Sequence, residues 1–215
     1  YSPQDGAAAN TDALSRAYIQ EGYSYGYPQS TYTAHVAASP NHQTLRVTSP
    51  ETRFGVASFG VLGYECDVRD LSGEMKKKIA AQIELYKKLR DVLQFGQFYR
   101  IRSGNVHEWV CVSPDRTQAV GMMLQELVQP NTQAERFFAR GLDPEKTYHF
   151  YNVSQRVDVK QFGSLVNTLS PIHIKQDSMM HNLVAKAVRL KGEAEDVTAT
   201  GEVLMSTGVA LKTAF

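Results

Sequence analysis

Met75, Ile79, Ile83, Tyr86, Leu89 and Leu93 recur at steps of four, four, three, three and four, the period of a helix with one buried face. The spacing predicts an α-helix from about Ser72 to Gln94, closed by Gly96. Upstream, Asn10 to Gly22 predicts a shorter helix, with Thr11 or Asn10 as N-cap, Leu14, Ala17 and Tyr18 on one face and Gly22 at the stop. Tyr23 to Pro50 carries three prolines and almost no apolar periodicity, and reads as a loop. It is long for a passive connector and more typical of a segment lining a site. Residues 51 to 62 predict a tightly packed helix in which Gly55, Ala57, Ser58 and Gly60 remove side-chain bulk.

After Gly96 the helical period gives way to alternation and short apolar runs. Candidate strands are Phe98–Arg102, Glu108–Val112, Ala119–Val128, Glu135–Ala139, His149–Val153 and Gly201–Met205. Turns are expected at Ser103-Gly104-Asn105, Pro114-Asp115, Asp143-Pro144 and Thr207-Gly208. Such a series suggests an antiparallel sandwich. Gln176 to Leu190 stays ambiguous, because Met179, Leu183, Val184, Ala187 and Leu190 keep near-helical spacing behind a possible Asp177 cap.

A chain of 215 residues with 42% hydrophobic content can bury one large core or two small ones. Its 23 Lys and Arg balance 22 Asp and Glu, and a formal charge of +1 provides no field to gather nucleic acid or an anionic membrane. No stretch approaches the roughly 20 apolar residues of a membrane span. The start, Tyr1-Ser2-Pro3-Gln4-Asp5-Gly6, lacks a basic residue, an apolar run and a Met, so the expectation is a cut or incomplete chain without a signal peptide. Cys66 and Cys111 form neither a disulfide framework nor a metal pair, which favours a reducing, cytoplasmic setting.

The chemistry concentrates in His35-Val36-Ala37-Ala38-Ser39-Pro40-Asn41-His42-Gln43-Thr44-Leu45-Arg46. Its amide, imidazole and guanidinium groups suit a polyhydroxylated ligand, since donors and acceptors at fixed angles match sugar hydroxyls. The alternative is that His35 and His42 satisfy backbone groups and brace a structural loop. A His pair at this spacing without nearby Cys or carboxylate is no metal-ligand set, and the expectation is neither metal nor organic cofactor. The basic face of the long helix, Lys76, Lys77, Lys78, Lys87, Lys88 and Arg90, reads as solvated surface. Asp12, at the start of the first helix, reads as a capping carboxylate. Dinucleotide, phosphate-loop, nucleophile-elbow and Cys-x-x-Cys signatures are absent from the sequence.

Asn10-Thr11-Asp12-Ala13-Leu14, then His35-Val36 through Pro40-Asn41-His42-Gln43-Thr44 to Arg46, then Gly63-Tyr64-Glu65 resemble, in order and spacing, consecutive motifs of family 36 α-galactosidases. Gly201 to Val209 looks like the family's closing strands. The resemblance implies an α/β plus all-β fold. Residues 1–95 would be the C-terminal end of a (β/α)8 TIM barrel, and residues 96–215 a small antiparallel β-sandwich domain. The Tyr23–Pro50 segment would then lie near the active-site face, at the C-terminal ends of the strands.

The family retains anomeric configuration with two carboxylates, a nucleophile and an acid/base. The resemblance places the nucleophile upstream of this chain. It puts the acid/base, an Asp in a Trp-x-Ser-Asp-Asn-Thr-Asp motif, at Ala9, with Gly6 at the Trp and Ala8 at the Ser. Alanine cannot transfer a proton. Three origins stay open: a degenerate or truncated gene product, a deliberate alteration, or Gly and Ala recorded in place of other residues. A retaining pair stands about 5 Å apart, and within residues 1 to 60 the carboxylates are Asp5, Asp12, Glu21 and Glu51, with no evident pair. Asp12 matches the motif's last Asp, which the resemblance places behind the acid/base. Asn41, His42 and Arg46 would organise the rim or touch sugar.

The function implied is hydrolysis of terminal α-galactosyl residues from melibiose or raffinose-type oligosaccharides, with the chain alone inactive. Partners implied are the galactoside, further copies in a homo-oligomer, or the N-terminal remainder of the same enzyme. The alternative is a non-catalytic β-sandwich serving as scaffold, oligomerisation or carbohydrate-binding module. Trp109 as the sole tryptophan favours scaffold over lectin.

Overall fold

The computed structural model describes residues 10–127, 135–153, 156–157, 167–168, 171–188, 190–191 and 194–211. Helix α1, Ala13–Tyr23, is capped by Asp12, whose carboxylate accepts from the Ser15 N–H at 3.1 Å and the Ser15 hydroxyl at 3.0 Å. Its buried stripe is Ala13, Arg16, Ala17 and Gln20. The predicted face is therefore turned: Tyr18 is 40% exposed, while Arg16 and Gln20 point inward. Both are hydrogen-bonded there, Arg16 Nε to Gln20 Oε1 at 3.2 Å and Gln20 Nε2 to the Val56 carbonyl at 2.9 Å, which removes the penalty of burying polar groups.

The segment read as loop contains strand β1, Thr33–Ala37, and the predicted helix over 51–62 divides into helix α2, Pro50–Ala57, and strand β2, Val61–Glu65. β1 and β2 pair in parallel, His35 opposite Gly63 and Val36 opposite Tyr64, so β1–α2–β2 is a crossover unit. Ser49 caps α2 by accepting from the Thr52 N–H, and Pro50 occupies the first turn, where its missing N–H costs nothing. Ala34, Val36 and Ala57 form a small core, with Leu62 and Tyr64 packed against it. Of the small residues expected to admit a close approach, Gly60 is where it is tightest, a Cβ there lying 2.9 Å from that of Ala34, whereas one at Gly55 would stand at an ordinary 3.6 Å from the Met122 sulfur.

Helix α3, Gly73–Phe95, follows the predicted span. Ser72 caps it through the Met75 N–H, and Tyr86, Val92 and Leu93 are buried. The lysines of its outer face are solvated, and Lys78 pairs with Glu51 at 2.7 Å. Gly96 admits no side chain: a Cβ would sit 2.4 Å from the Val92 carbonyl oxygen and 2.7 Å from that of Val112.

Strands β3 (Gln97–Ser103), β4 (Val106–Val112) and β5 (Ala119–Gln125) form an antiparallel sheet in that order. A two-residue turn, Gly104-Asn105, joins the first two with Gly104 at φ +58°. β4 is covered on both faces. His107, Trp109 and Cys111 face the helices, where Trp109 and Cys111 share a core with Ala17, Val56, Phe59, Tyr86 and Leu93. Glu108, Val110 and Val112 face the other way, the two valines packing with Phe137, Ala139, Leu142, Leu204 and Val209. The first core is thus built from residues on both sides of Gly96.

Beyond β5, β6 (Arg136–Phe137) pairs with β11 (Val209–Ala210), β7 (Thr147–Tyr151) with β10 (Asp196–Thr200), and β8 (Arg156–Val157) with β9 (Leu190–Lys191), all antiparallel. The ambiguous stretch holds helix α4, Met179–Ala187, capped by Ser178 rather than Asp177. The predicted strand Gly201–Met205 is instead helix α5, Gly201–Ser206. Thr200 accepts from the Val203 N–H at its start, and Gly208 at φ +67° returns its N–H to the Val203 carbonyl at its end. The Glu135–Ala139 strand shrinks to Arg136–Phe137, and Val128, the expected end of β5, lies outside the described residues.

Candidate active site

The three motif segments that are far apart in sequence meet at the C-terminal ends of the parallel strands. His35-Val36 and Gly63-Tyr64-Glu65 are direct neighbours in register. Gly63 is small because the His35 imidazole lies across it: a Cβ there would approach His35 Cδ2 to 2.6 Å. His35 Nδ1 stands 3.5 Å from the Glu65 carboxylate.

After β1 the chain turns back on Asn41. The Asn41 side-chain oxygen accepts from the N–H groups of Gln43 at 2.9 Å and Thr44 at 3.1 Å, its backbone N–H donates to the Arg46 carbonyl, and its carbonyl accepts from Leu45 N–H. This closed loop holds Leu45, 77% exposed, at φ +58°, a conformation costly for a branched residue and one that persists where surroundings enforce it.

Two contacts fasten the loop to the start of α1. Asn41 Nδ2 donates to the Thr11 hydroxyl at 3.1 Å, with both residues buried, and the Arg46 guanidinium pairs with the Asp12 carboxylate. Asp12 is 1% exposed, and one oxygen, Oδ2, takes Ser15 and Arg46 together. Its other oxygen, Oδ1, is buried with no hydrogen-bond partner among the described residues. Thus Asp12, Asn41 and Arg46 converge, whereas His42 is exposed and takes no part in this network. Ala9, the position aligned with the acid/base, lies outside the described residues, and so do Gly6 and Ala8.

Sequence reasoning missed Arg16. Its guanidinium donates to the carbonyls of Asn10 at 3.3 Å and Thr33 at 2.8 Å, tying the segment before α1 to β1, and burial lowers its pKa to about 10. The available signal was the i, i+4 pair Arg16 and Gln20 among alanines. A cavity of about 300 Å³, lined by Val36, Arg53, Tyr64, Cys66, Asp67 and Gln82, lies between the strand ends and helices α2 and α3. No group of three His, Cys, Asp or Glu among the described residues is disposed to hold a metal ion.

Two family models match this chain: Melibiase over residues 1–96, and the glycosyl hydrolase family 36 C-terminal domain over residues 106–214. The chain belongs to glycosyl hydrolase family 36. Among family 36 relatives, it is 44% identical over 153 residues to alpha-galactosidase 1 of Pediococcus pentosaceus, and 42% identical over 151 residues to alpha-galactosidase AgaA of Geobacillus stearothermophilus. Each alignment covers 69% of this chain and 21% of the relative, so the chain spans about a fifth of their length. The solved α-galactosidase of Lactobacillus brevis superimposes with a TM-score of 0.74 at 34% identity, covering 100% of this chain and 24% of that one. An AgaA variant crystallised with raffinose gives 0.69 at 32% identity, covering 94% and 23%. No helix among the described residues is long and apolar enough to cross a membrane.

Asp12→Ala should remove the N-cap and strand Arg46, costing about 1–2 kcal/mol in urea denaturation of the 215-residue chain. Arg46→Ala leaves the buried Asp12 carboxylate without its cation and should cost about 1–3 kcal/mol. A cost under about 0.5 kcal/mol for Arg46→Ala would mean that the ion pair does not form in solution.

Proposed function

We propose that this chain supplies the acid/base side of a retaining α-galactosidase that hydrolyses terminal α-galactosyl residues of melibiose or raffinose-type oligosaccharides. The observation that carries this reading is the convergence of Asp12, Asn41 and Arg46 at the C-terminal end of a parallel β–α–β unit, where barrel enzymes place their chemistry. Residues 1–95 form the closing part of a (β/α)8 barrel, and residues 96–215 the C-terminal antiparallel β-sandwich domain. The relatives' names and the raffinose complex support the substrate class.

In this reading position 9, immediately before Asn10, is where the acid/base carboxylate stands in active members. Arg16, holding the Asn10 carbonyl, and the Asp12–Arg46 pair fix the backbone that follows it. Asn41 anchors the post-β1 loop as the rim of the galactoside site, and His42, exposed on the same loop, is the group free to reach sugar hydroxyls. With Ala9 the chain cannot protonate the leaving oxygen, and it works only together with a segment bearing the nucleophile.

The test is hydrolysis of a chromogenic α-galactoside by the 215-residue chain and by the same residues exchanged into the matching stretch of the Pediococcus relative with Asp at position 9. The isolated chain should show no turnover and the exchanged protein should turn over. Turnover by the isolated chain would overturn the reading.

A further inference from the structure

His107 is fully buried where α1 packs on the antiparallel sheet, and it stands between two carboxylates from opposite sides of that contact. Its Nδ1 lies 2.5 Å from Glu21 Oε2, on α1, and its Nε2 lies 2.7 Å from Glu126 Oε1, just past the end of β5. Ionised carboxylates only accept, so satisfying both contacts requires both ring nitrogens to donate, which only the imidazolium does. The other groups facing the ring are Tyr18, whose ring stands edge-on at 4.8 Å and whose hydroxyl donates to Glu126, and Arg102 of β3, which lies over Tyr18 and donates to its hydroxyl. Leu124, opposite on β5, is apolar. The Trp109 indole N–H also donates to Glu21 Oε2, at 3.3 Å.

We propose that His107 is a pH-sensitive tie between α1 and the C-terminal sheet: charged, it donates to Glu21 and Glu126 at once, and on losing its proton it gives up one of them. Imidazolium and Arg102 balance the two carboxylates; without the imidazolium charge the cluster carries an excess negative charge in a place where water does not reach the ring. The tie matters beyond packing, because α1 is capped by Asp12 and carries the Arg16 grip on the Asn10 carbonyl.

The direction of the titration follows from the contacts. Burial disfavours the imidazolium, but the hydrogen bonds and charges of Glu21 and Glu126 outweigh it and raise the His107 pKa above the ordinary histidine value. A group raised on folding stabilises fully below its unfolded value, and the contribution disappears as pH rises through the folded one. For Glu126, burial works against ionisation, but hydrogen bonds from Tyr18 and His107 prevail and hold it below the ordinary carboxylate range. The His107 contribution is therefore fully present below about pH 6.5, the ordinary histidine value, and is lost as pH rises through the raised folded value.

Trp109, the only tryptophan, is the built-in reporter. Its fluorescence and its indole N–H resonance in the 215-residue chain should change with pH as a one-proton transition with a midpoint above about 6.5. Glu126→Gln, a substitution at the rim of the contact, should move that midpoint down by about one pH unit, and His107→Gln should abolish the transition. A midpoint at or below about 6.5, or a transition that persists unchanged in His107→Gln, would overturn the proposal. If His107→Gln fails to fold, an unmoved midpoint in Glu126→Gln overturns it equally.

Discussion

Ala9→Asp in a family 36 framework that contains the nucleophile should raise hydrolysis of an α-galactoside by about 10² to 10⁴-fold, the range a positioned general acid contributes. The gain should be largest for substrates with a sugar leaving group, whose departing oxygen must be protonated as the bond breaks. In kcat/KM, which reports the bond-breaking step, it should shrink for an aryl galactoside with an acidic phenol, which leaves without help. Direction and pattern both matter: restoring mere packing at position 9 would raise the two substrates alike. The comparison therefore separates a proton donor from a structural repair.

Trp109→Ala should be the most damaging single truncation, costing about 3–5 kcal/mol. Trp109 is 0% exposed and meets Phe59 and Phe98 edge-on at ring separations of 5.5 and 5.9 Å, in the core that joins α1, α2 and α3 to β4. Against total stabilities of about 5–15 kcal/mol, that loss removes a large share of the margin. Urea titration followed by far-ultraviolet circular dichroism measures it, since the fluorescent reporter is gone. Trp109→Phe should recover a large part of the loss. A cost under about 1 kcal/mol would mean that the helices do not rest on the sheet in solution.

The parts of this fold legible in the sequence are those whose pattern is long or whose two faces share one fate. Helix α3 shows because 23 residues keep one period, and β4 because a central strand buried on both faces reads as a dense run. The parallel strands β1 and β2 do not show. They have five residues each, and their non-helix face carries His35, Gly63 and Glu65 rather than an apolar alternation. Val203-Leu204-Met205 imitates a strand, yet the Thr200 cap, Glu202 in the first turn and the positive-φ Gly208 make a six-residue helix of it.

At the site, the polar run from His35 to Arg46 marks the loop, but which of its members turn inward depends on residues far away: Thr11 receives Asn41, and Asp12 receives Arg46, leaving His42 outside. The cluster around His107 was invisible for the same reason, since Glu21 and Glu126 reach it from separate elements.

The measurement that addresses the central claim most directly is azide rescue of the exchanged protein carrying Ala9, assayed with an activated aryl α-galactoside. If position 9 is the vacated acid/base, the galactosyl intermediate forms on the nucleophile and then waits for lack of a base; azide, which needs none, enters from the empty side. The account predicts acceleration by azide and α-galactosyl azide as product, both disappearing in Ala9→Asp. An unchanged rate, or azide incorporated with inverted configuration, would contradict the assignment of position 9.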